Sequence, residues 1–192
     1  MEKKYLKYLI VLPIFLFIGL SLFFFIYSSP EKFIGFIGVS NAYALIFILA
    51  TLGGMTTFSG IPYHLILITM ATGGLNPLLL GLATSFGVML GDSTSYYIGY
   101  QGRIIAPPRW HGFFEKIYNF GLKYPKLLPF FFFIYGSFMP FSNDFIVISM
   151  GLARYPFWRL MIPLGLGNLV FNIGLSYLSI YAYNFVQFYF RL

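Results

Sequence analysis

Three ionisable side chains, His64, Asp92 and Asp144, stand inside apolar stretches of the chain, and their types set the chemistry open to it. A carboxylate at the centre of a bilayer costs roughly 2.5 to 3.5 kcal/mol on insertion scales, so an acid kept there faces a cavity, a partner or a bundle interior. Asp144 follows Pro140 and Ser142-Asn143 within Phe138–Met150, and Asp92 lies beside Ser93, Ser95 and Tyr96. Such groups can carry a proton, hold a sodium ion or receive a polar headgroup. With two later asparagines they make a candidate substrate- or ion-binding set of His64, Asp92, Tyr96, Ser142, Asn143, Asp144, Asn168 and Asn172. There is no Ser-His-Asp constellation, no metal-ligand cluster, no phosphate-cradling Gly loop followed by Lys, and no cysteine. The sequence therefore reads as a non-enzyme without cofactor or bound metal.

Each residue also has a purely structural reading. Asp144 at the start of a half-helix would complement its dipole. His64 would be a packing histidine. Asp92 would bond hydroxyls of neighbouring helices, and Gly53, Gly54 and Gly87 would serve close packing.

The elements that position these residues look duplicated. Phe58–Met70 lies on Phe138–Met150 without a gap at an offset of eighty positions, matching Phe58 with Phe138, His64 with Asp144, Ile66 with Ile146, Ile68 with Ile148 and Met70 with Met150. The same offset brings Gly87 to Gly167, Asp92 to Asn172 and Tyr97 to Tyr177.

At 192 residues, 59% hydrophobic and 9% charged, the chain reads as one integral membrane domain with no separate soluble unit. Its net charge of +7 lies in short loops between apolar segments, the pattern that fixes membrane orientation, and argues against nucleic acid as a partner.

In chain order, residues 8–27 read as a first transmembrane helix retained in the protein, and residues 33–43 as a segment lying along the membrane surface. Residues 44–72 have the hydrophobicity of one span, but Gly53-Gly54, Thr56-Thr57 and Ser59-Gly60-Ile61-Pro62 interrupt it. Unwound backbone at membrane depth is tolerated only inside protein or beside a wet cavity, so a re-entrant hairpin breaking at Gly60 and Pro62 is expected. Residues 77–100 follow as a transmembrane helix rich in small residues, with Pro77 suited to its first position. Residues 101–126 form a basic cytoplasmic loop with an amphipathic piece at 110–122, residues 127–153 a second hairpin breaking at Pro140, and residues 157–188 the last transmembrane helix.

With the N-terminus in the cytoplasm and each hairpin returning to the side it left, Lys3, Lys4, Lys7, Arg103, Arg109, Lys116, Lys123, Lys126, Arg154 and Arg159 lie inside. Only Lys32 and Arg191 lie outside, a ten-to-two bias. The expected architecture is thus an all-α, multi-pass cell-membrane protein: transmembrane helices plus two oppositely oriented re-entrant helical hairpins related by an inverted repeat.

The stretch Gly87-Val-Met-Leu-Gly91-Asp92-Ser-Thr-Ser-Tyr96-Tyr-Ile-Gly99 resembles the Gly-x-x-x-Gly-Asp-x-x-x-Tyr-x-x-Gly signature of the DedA/VTT (SNARE-associated) membrane proteins. The resemblance continues through Phe138-Met-Pro140, Met150-Gly151, Arg154-Tyr-Pro-Phe-Trp-Arg159 and the Gly165–Asn172 helix. It implies two oppositely entering hairpins and movement of lipids across a bilayer, either polyprenyl-phosphate carriers or phospholipids, with proton coupling proposed for the family. The family's Pro-Gly-Glu is Pro62-Tyr63-His64 here, and its two arginines about the second proline fall on Ser137 and Asn143, which removes a bidentate phosphate clamp. The expected function is transbilayer translocation of a lipid, of polyprenyl-phosphate or anionic phospholipid type. A proton- or sodium-coupled transporter of a small solute is the alternative, and a homo-oligomer stays open.

Overall fold

The structure is a computed structural model that describes residues 30–55, 63–104, 107–139 and 142–190. The expected first helix at 8–27 and the expected break residues Gly60, Pro62 and Pro140 lie outside the described residues. The described chain is all helical: α1 Pro30–Ile37, α2 Val39–Met55, α3 Tyr63–Thr72, α4 Pro77–Gly102, α5 Pro108–Lys123, α6 Leu127–Phe138, α7 Asp144–Leu152 and α8 Phe157–Phe190.

Local chemistry explains most of the boundaries. Asn76 caps α4, its Oδ1 accepting from the backbone N–H groups of Leu78 (2.9 Å) and Leu79 (3.3 Å), and Pro77 fills the first position, where a missing N–H costs nothing. The surface segment expected at 33–43 divides instead at Gly38, whose φ of +84° ends α1. As a result α2 begins at Val39, ahead of the expected boundary at 44, and runs without interruption through Gly53 and Gly54.

Gly54 is a packing residue. A Cβ there would meet Val88 O at 2.8 Å and Gly91 Cα at 3.2 Å, and one on Gly91 would lie 2.6 Å from Gly54 Cα. Small residues on both helices let the backbones touch, so α2 runs alongside α4. The Gly167 face meets Phe133 O and, at 3.0 Å, Gly136 Cα, which brings α6 alongside α8 in the same manner.

The two long helices α4 and α8 pack antiparallel: the Gly81 face meets Ile173, Asn172 bonds Ser85, and the rings of Tyr97 and Phe157 stack at 5.7 Å. The turn before α4 and the turn before α8 therefore sit at opposite ends of the pair. The α2/α3 pair returns to its starting end, where Asn76 N–H donates to Tyr43 Oη at 3.0 Å. In the α6/α7 pair the return brings Tyr155 against Phe132, with ring centres 5.7 Å apart. The closing arms cross over: α7 packs on α4 and α3 packs on α8.

Buried polar side chains share the interior with an apolar core, while many large apolar side chains face outward. Thr84, Ser85, Asp92, Ser95, Asn168, Asn172 and Ser176 are buried, while Phe86, Leu90 and Ile98 of α4, Leu166 and Leu178 of α8, and Phe145 of α7 are all more than half exposed. Among the described residues one helix, Phe157–Phe185 within α8, is long and apolar enough to cross a membrane.

Candidate functional site

The buried polar side chains gather where the start of α7 meets the middle of α4 and α8. Asp92 sits mid-helix on α4, where neighbouring Gly91 brings α2 close and keeps water out; it is 2% exposed. Asn143, just before α7, donates through Nδ2 to Asp92 Oδ2 at 2.8 Å and to Asn168 Oδ1 at 3.3 Å, tying α4, α7 and α8 together. Ser142 Oγ donates to Asp144 Oδ2 at 3.0 Å and accepts from the Asp144 N–H at 3.3 Å. Asp144, also 2% exposed, thus stands in the first turn of α7, where its charge complements the helix dipole.

Five of the eight expected site residues, Asp92, Ser142, Asn143, Asp144 and Asn168, therefore share one hydrogen-bonded neighbourhood. Asn172 lies further along α8, donating to Ser85 Oγ at 3.2 Å. Two buried amide atoms, Asn168 Nδ2 and Asn172 Oδ1, have no hydrogen-bond partner. Buried polar atoms without a partner are costly, and both can engage a polar ligand atom.

The remaining two lie elsewhere. His64 packs in an aromatic nest, its ring 3.9 Å from Tyr63 and 5.7 Å edge-on from Phe171. Tyr96 points to the turn before α8, donating to Tyr155 O at 2.6 Å. There burial holds the Tyr155 phenol above its ordinary pKa, with the Arg159 charge acting the other way.

Three residues outside the expected set also hold the site together. Tyr135 Oη donates to Ser142 O at 3.2 Å and braces the segment between α6 and α7. Ser95 Oγ reaches the carbonyls of Gly54 (3.3 Å) and Met55 (3.1 Å), satisfying the last turn of α2. Ser85 is the partner of Asn172. The signal for Ser85 and Ser95 was their helical register with Asp92, which places all three on the buried stripe of α4.

Beside the cluster, α4 and α8 leave an apolar groove of about 170 Å³ lined by Leu82, Ser85, Phe86, Met89, Ile162, Gly165, Leu166 and Leu169. Ser85 belongs to both the groove and the polar interior. Among the described residues no group of three or more His, Asp or Glu side chains gathers to hold a metal ion. No protein family, curated protein or solved structure matches the chain.

Proposed function

We propose that the chain is a multi-pass membrane protein of the DedA/VTT kind that moves a phosphate-bearing lipid across the bilayer, its polar seam carrying the headgroup while the tails stay in the hydrocarbon. The observation that carries this reading is a run of buried polar side chains on α4 and α8, from Asp92–Asn143–Asn168 to Asn172–Ser85, with a lateral apolar groove opening at its Ser85 end. A lipid uses both environments at once, its headgroup the polar side chains and its tails the groove.

In this reading α2/α3 and α6/α7 are the re-entrant hairpins, α4 and α8 the spans that hold them, and the two halves an inverted repeat. Recurring contacts support it. Thr51 Oγ1 bonds Phe47 O at 2.8 Å on the arm that meets Gly87, and Ser137 Oγ bonds Phe133 O at 2.8 Å on the arm that meets Gly167. The closing arms and spans correspond at the offset of eighty, with α4 starting at Pro77 and α8 at Phe157. The opening arms correspond at eighty-six, Phe47 with Phe133, six positions more than the closing arms. Among the described residues, large apolar side chains exposed along α4, α7 and α8 support a lipid surround.

Single cysteines introduced at Asn76 and Arg154 of this cysteine-free chain are expected to react with impermeant reagent from opposite sides of the membrane. Reaction of both from one side contradicts the inverted arrangement. The function is tested by liposomes carrying fluorescent phospholipid and the purified chain. Loss of inner-leaflet protection faster than in protein-free vesicles is the expected result. Vesicles that keep their lipid asymmetry but accumulate a solute down a proton or sodium gradient would favour the coupled transporter.

A further inference from the structure

Where α4, α5 and the α7–α8 turn meet, a second cavity of about 240 Å³ is lined by Arg103, Glu115, Tyr118, Ala153 and Arg154. Neither arginine belongs to the buried cluster. Arg103 is tied down by Nη1 donating to Leu152 O at 3.3 Å. The Arg154 guanidinium lies over the Tyr100 ring, 5.0 Å from its centre, a cation–π contact that holds the side chain at the cavity.

The backbone supplies an independent observation. Arg154 has φ +55° and is the one non-glycine residue with positive φ among the described residues. L side chains pay sterically for that conformation, and glycine is the usual occupant of such a helix C-terminal position. The turn is otherwise regular: Tyr155 N–H bonds Met150 O at 3.0 Å, and Arg154 N–H bonds Gly151 O at 2.9 Å. The turn after α3 makes the same two bonds, Leu75 N–H to Met70 O and Gly74 N–H to Ala71 O, both at 3.2 Å. Its left-handed residue is Gly74, with φ +94°. The fold thus accepts glycine at this position, yet it keeps an arginine at the turn that lines the cavity. Strain held at one residue against the local preference points to a use for its side chain.

We infer that this cavity is a headgroup site in which Arg103 and Arg154, with the Tyr118 hydroxyl, grip the phosphate of a phospholipid at the membrane surface. The inference rests on the lipid-handling reading above and gives it a docking point away from the buried acids. Two guanidinium groups against the single Glu115 carboxylate leave one positive charge, which matches a phosphodiester. Glu115 disfavours headgroups of higher negative charge.

The test uses the full chain in a maltoside detergent free of phosphate groups. Short-chain phosphatidylglycerol, the matching diacylglycerol and inorganic phosphate are the probes, with binding read by calorimetry. Phosphatidylglycerol is expected to bind, diacylglycerol not, and inorganic phosphate to compete weakly. Arg154→Gly is expected to weaken phosphatidylglycerol binding by about tenfold or more, the loss of a charge-assisted pair. It should melt at the same or higher temperature without lipid, because the strained position is relieved. Arg103→Gln is expected to weaken binding in the same sense. Equal phosphatidylglycerol binding by Arg154→Gly and the parent chain overturns the site, and equal affinity for inorganic phosphate and phosphatidylglycerol overturns its lipid assignment. Unchanged binding in Arg154→Gly with lipid movement intact sinks this site alone. Binding lost in Arg154→Gly while the parent chain moves no lipid sinks the translocation reading alone.

Discussion

Asp92→Asn is expected to leave the chain folded and to slow lipid movement by about tenfold or more, equivalent to ~1.4 kcal/mol on the transport barrier. The substitution keeps an oxygen where Asn143 Nδ2 donates at 2.8 Å, so the tie between α4 and α7 survives while the charge and the exchangeable proton are lost. Asp92→Leu removes the acceptor as well and leaves Asn143 only its 3.3 Å bond to Asn168. That variant should lose about 1 to 3 kcal/mol of stability, the range for a buried donor that loses its partner. Thermal unfolding beside liposome assays separates the two roles. If Asp92→Asn moves lipid at the parental rate, Asp92 is structural glue between helices and carries no step of transport.

Gly91→Ala is expected to be among the most destabilising single-methyl additions the chain can suffer. The new Cβ would lie 2.6 Å from Gly54 Cα and against Thr51 O, backbone atoms that cannot rotate away, so α2 and α4 must separate along their contact. Overpacking of this kind costs about 1 to 3 kcal/mol, and the displaced α2 would also pull Gly54 O and Met55 O from Ser95. Gly174→Ala is the control, since a methyl there meets nothing within 4 Å and gains about 1 kcal/mol of helix propensity. Melting temperatures that fall equally for both variants would remove the close α2–α4 contact from the account.

The outline of the fold was legible because its signals are local. Asn76-Pro77 fixes the start of α4, the basic amphipathic stretch gives α5 to within a turn, and Pro156 marks the start of α8. What could not be read is partnership. Asp92 and Asn143 stood out separately, but their 2.8 Å bond spans fifty-one positions and depends on where α7 crosses α4. His64 and Asp144 correspond at the offset of eighty, but the His64 ring rests against Phe171, which itself corresponds to Gly91. A small residue on one helix and a large one at the corresponding place on the other change what fits beside them. Gly53-Gly54 misled in the opposite way: glycine pairs signal breaks, but these two lie inside α2, where Gly54 serves packing.

The central claim is that a lipid moves along the groove between α4 and α8 with its headgroup passing the buried cluster. Met89 and Gly165 face each other across that groove, where a Cβ on Gly165 would lie 3.1 Å from Met89 Sδ. The most direct measurement is the rate of fluorescent-phospholipid movement in liposomes for the parent chain, for Leu166→Trp, which crowds the groove from its exposed rim, and for protein-free vesicles. The parent chain is expected to move lipid well above the protein-free rate, and Leu166→Trp to fall back towards it while remaining folded. Equal rates for the parent chain and Leu166→Trp would contradict the groove as the path, and a parent chain no faster than empty vesicles would contradict lipid movement itself.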